Sequence, residues 1–221
     1  MYSSIIRKFL MAISGIFLMI FLTQHLLINL TSLIPDNGDT FNFIAHFMGY
    51  NPIVQYALQP VLIIGVIFHF VMGFILEIQN RRSRNKKYAQ YKNRSSWASR
   101  NMLLSGAVVL SFLVLHFWDF WWPEIVEKFG NGAMFDPNLS QQNEDTHFEK
   151  LVKKFKGKEV RTILYCISFF LLGIHLSHGF GSSFQSMGTE KKYQKILKRS
   201  GYFFSILITC GFLLIAIYHF I

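Results

Sequence analysis

The chain has 221 residues, of which 52% are hydrophobic, 17% aromatic and only 15% charged. Soluble domains carry about 25% charged residues, and the shortfall here is gathered in long uncharged runs, which excludes an ordinary soluble fold. The formal net charge of +10 sits in short basic stretches beside those runs. It reads as membrane orientation and lipid headgroup contact rather than nucleic-acid binding.

The runs do not alternate apolar and polar residues, so they predict helices rather than barrel strands. Helix I is expected over about 10–34, after Arg7 and Lys8. It is longer than the roughly 7–15-residue core of a signal peptide and leads into Pro35-Asp36-Asn37-Gly38-Asp39 without a small-residue cleavage site. Residues 40–51 read as a short amphipathic surface segment. Helix II follows over about 52–79, with Pro60 either kinking it or marking its start. A basic stretch from Arg81 to Arg94 contains no acid.

Helix III is expected over about 99–121, with Trp97, Trp118, Trp121 and Trp122 at its ends as an interfacial aromatic belt. A long polar stretch, 123–159, follows. Helix IV is expected over about 160–185, a second basic loop holds Lys191, Lys192, Lys195, Lys198 and Arg199, and helix V runs over about 202–221. No internal repeat is visible. The fold expected is an all-α membrane protein, a single domain over 1–221 with five transmembrane helices bundled around cofactors. The basic loops put the N-terminus in the cytoplasm and the C-terminus outside. The five lysines between 150 and 158 oppose that orientation, but acids lie nearby and long loops obey the rule poorly. Cys166 and Cys210 share no metal-type spacing and read as packing residues.

Helices I to IV each contain histidine: His25, His69, His116 and the pair His175/His178. An ionisable side chain in a membrane helix is costly and points to function. One such residue could be a satisfied core histidine; one in each of four consecutive helices is a pattern. Two imidazoles can fill both axial positions of a haem iron. Helices I and III run outward, which puts His25 and His116 near the outer side. Helices II and IV run inward, which puts His69 and His175 deeper, roughly 10–15 Å away at the helical rise. Two levels suggest two stacked bis-histidine haems, His25 with His116 and His69 with His175, with His178 competing for the last place. Gly15, Gly65, Gly73 and Gly179 either make room for a flat porphyrin or mark ordinary helix contacts. His46, His147 and His219 fall outside this set. No phosphate loop, cysteine cluster or nucleophile–base pair is present.

These residues carry a resemblance. Gln24-His25-Leu26 with Asn29, Phe41-Asn42 followed by His46-Phe47-Met48, Phe68-His69 with Gly73, Leu115-His116-Phe117-Trp118, and Ile174-His175 with Gly179 occur in that order across nearly the whole chain. Together they resemble the single-chain dihaem cytochrome b subunit (b558 type) of succinate dehydrogenases and fumarate reductases. Ser95-Ser96-Trp97-Ala98-Ser99-Arg100-Asn101 also looks like members that use menaquinone. The resemblance implies two haem b groups on His25, His69, His116 and His175, in a multi-pass protein of the bacterial cytoplasmic membrane. It implies an FAD-containing flavoprotein and an iron–sulfur subunit as partners, and menaquinone as substrate. The chain would then be the quinone-reactive electron-transfer subunit of the enzyme, with no dicarboxylate site of its own. In some fumarate reductases of this family a glutamate stands two residues before the helix IV ligand; here that position is Gly173, which puts such a proton route in doubt.

Ser99 and Arg100 are expected near the propionates of the inner haem, since arginine binds carboxylates in two-point fashion. For the quinone, Gln24, Asn29, Asn42, His46 and Asp119 offer hydrogen-bonding groups at the outer end. Gln185 and Ser186 offer an alternative at the inner end. Two rival readings share part of this pattern. One is the cytochrome b of another quinone-linked dehydrogenase, such as a hydrogenase or formate dehydrogenase; the other is a non-redox transporter or membrane anchor.

Overall fold

The computed structural model describes residues 4–84, 102–130 and 146–221. Among them are helices and turns but no strand. Helix α1 spans Ser4–Leu30 and ends in a tight turn, Thr31–Leu33. Helix α2 spans Asp39–Tyr50. Helix α3 spans Gln59–Arg84 after a wide turn, Val54–Leu58. Pro60 is the second residue of α3, directly after that wide turn and inside the continuous helical span Val54–Gln79. Helix α4 spans Met102–His116, and its path continues through Phe117–Trp121, Trp122–Ile125 and Val126–Gly130. Helix α5 spans His147–Phe155, α6 spans Glu159–Ser186 and α7 spans Gln194–Phe220.

Five helical spans are long and apolar enough to cross a membrane: Ile5–Leu33, Val54–Gln79, Leu104–Gly130, Glu159–Ser186 and Lys191–Phe220. Three boundaries differ clearly from the sequence expectation, the first being the start of α1 at Ser4 rather than near residue 10. The third span runs on to Gly130 rather than ending near 121, and helix α7 begins at Gln194 rather than near 202. The stretch 123–159, expected as one polar loop, contains the end of the third span and the whole of α5. Its lysines hide an amphipathic period: Leu151 and Phe155, four residues apart, are both buried, which is the helical spacing.

Helix α1 packs against α3, α6 and α7; α4 packs against α6; and α6 has its broadest contact with α7. The core lies between α1, α6 and α7, where Met19, Leu26, Tyr165, Phe169, Leu176, Ile208, Phe212 and Ile215 are buried together. Large apolar side chains such as Ile20, Ile64, Phe170 and Phe203 point outward, as lipid-facing positions would. Helix α3 buries no residue of its most apolar window.

One end of the bundle carries a polar cap. It is built from α2, α5, the continuation of α4 and the last turn of α7. The α2 start is fixed by Asp36, whose carboxylate accepts from the Gly38 and Thr40 amides, each at 3.0 Å, and from the Thr40 hydroxyl. That hydroxyl, with the Thr40 amide, holds the Asp36 carboxyl below the usual carboxylate range. Asn42 accepts from the Phe148 amide at 2.8 Å, tying α2 to α5. Lys128, only 2% exposed, donates to the Gly49 carbonyl at 2.6 Å and pairs with Glu124 at 2.9 Å. Lys150 pairs with Glu127. Ser32 meets His219 Nε2 at 2.9 Å, which pins the end of α7 to the turn after α1.

Gly38 precedes α2 at φ +86°, and a Cβ there would run into the Phe148 ring. Gly38→Ala should therefore lower thermal stability in detergent by about 1–3 kcal/mol, the usual cost of a non-glycine residue in that region. An unchanged melting curve would show that the α2–α5 contact yields freely.

Candidate paired-histidine site

Four half-buried histidines from four different long helices meet two by two. The rings of His25 (α1) and His116 (α4) have centres 5.7 Å apart and planes at 87°. Those of His69 (α3) and His175 (α6) lie 6.5 Å apart at 76°. Imidazole nitrogen binds a first-row metal at about 2 Å, with the ring centre about 1 Å further back, so two rings on opposite sides of one metal have centres about 6 Å apart. Both pairs fall close to that spacing.

The donor set narrows the kind of metal. Among the described residues no group of three or more His, Cys, Asp or Glu could hold an ion. Two imidazoles alone do not fill a four- or six-coordinate shell. They do suffice for a metal that arrives with its own equatorial donors and needs only two axial ligands.

The deeper pair has a built second contact. Ser14 donates its hydroxyl proton to the Met11 carbonyl at 2.9 Å, and its oxygen lies 3.0 Å from His69 Nδ1. Ser105 donates to the Met102 carbonyl at 3.0 Å, and its oxygen lies 3.2 Å from His175 Nδ1. With each hydroxyl proton on its own-helix carbonyl, Nδ1 of each histidine is the donor and Nε2 keeps its lone pair. A ligand histidine needs that tautomer. A glycine lies beside each ring: a Cβ on Gly15 would sit 3.4 Å from His69 Cε1 and 3.1 Å from Ser183 Oγ, and one on Gly106 would sit 3.5 Å from His175 Cε1. Ser14, Ser105 and Gly106 stand in apolar runs, and nothing local in the sequence marks them.

The other pair is enclosed by aromatics. His25 stacks on Phe21 with ring centres 5.6 Å apart and lies 5.8 Å from Phe212. His116 is surrounded by Phe112, Phe120 and Tyr165. Its Nδ1 is buried without a hydrogen-bond partner, a rare condition for a polar atom in a folded protein.

The remaining expected residues are engaged separately. Asp119, 2% exposed, accepts from the Tyr165 hydroxyl at 2.9 Å and faces Arg161 at 3.5 Å and Lys154 at 3.7 Å. Tyr165 in turn lies 6.4 Å from His116, so this cluster borders the His25/His116 level. Asn29 donates to the His25 carbonyl at 2.8 Å within its own helix. Asn42 is committed to Phe148, His46 is exposed and stacks on Tyr50 at 4.5 Å, and Gln24 is exposed. Gln185 and Ser186 are exposed at the end of α6. His178 is half-buried. His147 lies 3.9 Å from Glu124, and burial holds its imidazole below the ordinary range. Ser99 and Arg100 lie outside the described residues. Of the glycines expected to make room, Gly65 instead lies against the Phe17 ring and Gly73 beside Met11, so both serve the α1–α3 contact. No family model matches this sequence, and no curated protein or solved structure is significantly similar to it.

Asp119→Ala should destabilise the detergent-solubilised protein by about 1–3 kcal/mol, since it strands the buried Tyr165 hydroxyl. Tyr165→Phe should cost about 1 kcal/mol, because it removes the donor and its desolvation together. Equal melting temperatures for Asp119→Ala and the parent protein would show that the cluster holds nothing.

Proposed function

We propose that this chain is the dihaem cytochrome b anchor of a succinate:quinone oxidoreductase, linking a cytoplasmic iron–sulfur subunit to membrane menaquinone. The observation that carries this reading is the pairing of His25 with His116 and His69 with His175 across four membrane-length helices. Its support is the ring spacing, the Nδ1–H tautomer at the deeper level and a donor set sized for axial ligation. The sequence resemblance supplies the partners: a flavoprotein with FAD and the iron–sulfur subunit. In this reading the protein is multi-pass in the bacterial cytoplasmic membrane, with the N-terminus in the cytoplasm and the C-terminus outside.

Haem b, when bound, supplies a one-electron carrier at each level. The chain's own residues do the rest. Each histidine offers Nε2 or Nδ1 from a rigid helix, so the ligand geometry is set before binding. Phe21, Phe112, Phe120 and Phe212 exclude water from the outer pair, and a dry site favours electron transfer without proton exchange. At the outer end an open groove lined by Leu115, Leu164 and Arg161 runs beside the Asp119–Tyr165 cluster. Val160 adds to its apolar side and Lys158 and Glu159 to its polar side, and an apolar groove with a few convergent polar groups suits a quinone headgroup.

The test is a reduced-minus-oxidised spectrum and haem assay on the purified protein. Two bis-histidine b haems per chain are expected. Alanine at His25, His69, His116 or His175 should remove one haem, and His178→Ala should retain both. A parent protein with no haem band would sink the proposal; loss of a haem from His178→Ala but not from His175→Ala would move the ligand by one helical turn. Co-purification with hydrogenase or formate dehydrogenase subunits would reassign the enzyme while leaving the haems in place.

A further inference from the structure

Comparing the contacts of the two deeper histidines exposes a pattern that the sequence hides. Reading along α1 gives Met11, two residues, Ser14-Gly15, five residues, Phe21, three residues, His25. Reading along α4 gives Met102, two residues, Ser105-Gly106, five residues, Phe112, three residues, His116. Helices α3 and α6 share a second pattern: His69, three residues, Gly73-Phe74, four residues, Gln79; and His175, three residues, Gly179-Phe180, four residues, Gln185. The expectation of no internal repeat is therefore wrong. It failed because the connecting segments differ in length and only contact positions are shared.

The equivalent residues make equivalent contacts. Ser14 meets His69 as Ser105 meets His175. Gly15 lies against His69 Cε1 as Gly106 lies against His175 Cε1. Met11 Cε lies 3.5 Å from where a Cβ of Gly73 would be, and Met102 Cε lies 3.9 Å from that of Gly179. Phe21 stacks below His25, and Phe112 lies below His116, at 5.6 and 5.8 Å. One contact of this kind could be a packing accident. The same four contacts in two unrelated sequence contexts describe a unit used twice.

Resting on the reading above, we propose that Ser14 and Ser105 are paired positioning residues for the deeper haem. In this arrangement each hydroxyl gives its proton to its own helix, at the Met11 or Met102 carbonyl, and acts as an acceptor. It draws on the Nδ1–H of a histidine in the neighbouring helix. An imidazole that donates from Nδ1 is a more basic ligand at Nε2. A more basic axial ligand favours the oxidised iron, so the two serines together lower the reduction potential of the deeper haem. The outer haem has no such device at His116, whose Nδ1 lacks a partner. The repeat thus gives both halves the same scaffold but attaches the hydroxyl to one level only.

The experiment is a spectroelectrochemical titration of the purified protein with its co-purifying subunits. The parent is compared with Ser14→Ala, Ser105→Ala, the double variant, Ser105→Thr and Ser111→Ala. Ser111 is an exposed serine of α4 bonded only to the Ala107 carbonyl and serves as control. The deeper haem is identified as the component absent from His69→Ala. Its potential should rise in each alanine variant and rise further in the double variant, while the outer component stays put. Ser105→Thr, which keeps the hydroxyl, and Ser111→Ala should match the parent. If an alanine variant instead loses the deeper haem and Ser105→Thr keeps it, the positioning role also stands. Unmoved potentials in the double variant, or equal shifts in both components, would overturn it. So would loss of haem in Ser105→Thr as well as Ser105→Ala. A parent protein without any haem band would instead defeat the reading on which this inference rests.

Discussion

A buried imidazole has two nitrogens, and both need a partner. In an apolar bundle no water supplies one, so each histidine placed there commits the surrounding helices to specific positions. His69 and His175 meet this demand from one side with a serine of the next helix. A glycine stands beside each serine, where a Cβ would meet the ring at ordinary contact distance. The serine contact also fixes the register of α1 on α3 and of α4 on α6. The two ring centres then lie 6.5 Å apart. These contacts add to the apolar packing of α1, α6 and α7, which holds two of the four histidine helices together.

The charges at the capped end answer a different demand. Lys128, Lys150, Lys154 and Arg161 face Glu124, Glu127 and Asp119. The basic side chains that seemed to oppose the proposed orientation are thus partly neutralised by acids on the continuation of α4. Lysines in a long connecting segment weigh little in the charge bias that orients a membrane protein, and the proposed orientation rests on the basic stretches elsewhere in the chain. Asp119 is central to this arrangement. It joins α4 to α5 and α6 and stands one aromatic ring away from His116.

Much of the fold is legible in the sequence because lipid imposes a blunt rule: long apolar runs must be helices. The helix count follows from the runs, and the two-level arrangement of histidines follows from helix direction and the helical rise. Three things were not legible. Helix α5 was missed because three lysines and a glutamate interrupt its four apolar residues, and the spacing of Phe148, Leu151 and Phe155 covers only two turns. Ser14 and Ser105 were missed because a serine in an apolar helix ordinarily bonds its own backbone, which these also do; the second contact exists only once the neighbouring helix is in place. The pairing of Lys128 with Glu124 under Gly49 depends on the third span running past the point where Asp119, Glu124 and Glu127 suggest that it ends. In each case the missing information was a contact between segments far apart in the chain.

Helix α3 carries His69 and yet buries nothing of its most apolar stretch, leaning on α1 through Phe17 and Met11. Its residence in the bilayer is therefore a matter of partition between water and hydrocarbon, with little help from neighbours. Helices α1 and α6 each bury 22% of their most apolar stretch, and the third span buries 6%. For α3 the lipid is the main stabilising surroundings. During biogenesis such a helix must enter the bilayer on its own hydropathy and only afterwards find its serine. Bilayer thickness and acyl composition would accordingly act first on the seating of His69, and the membrane itself becomes part of what tunes the site.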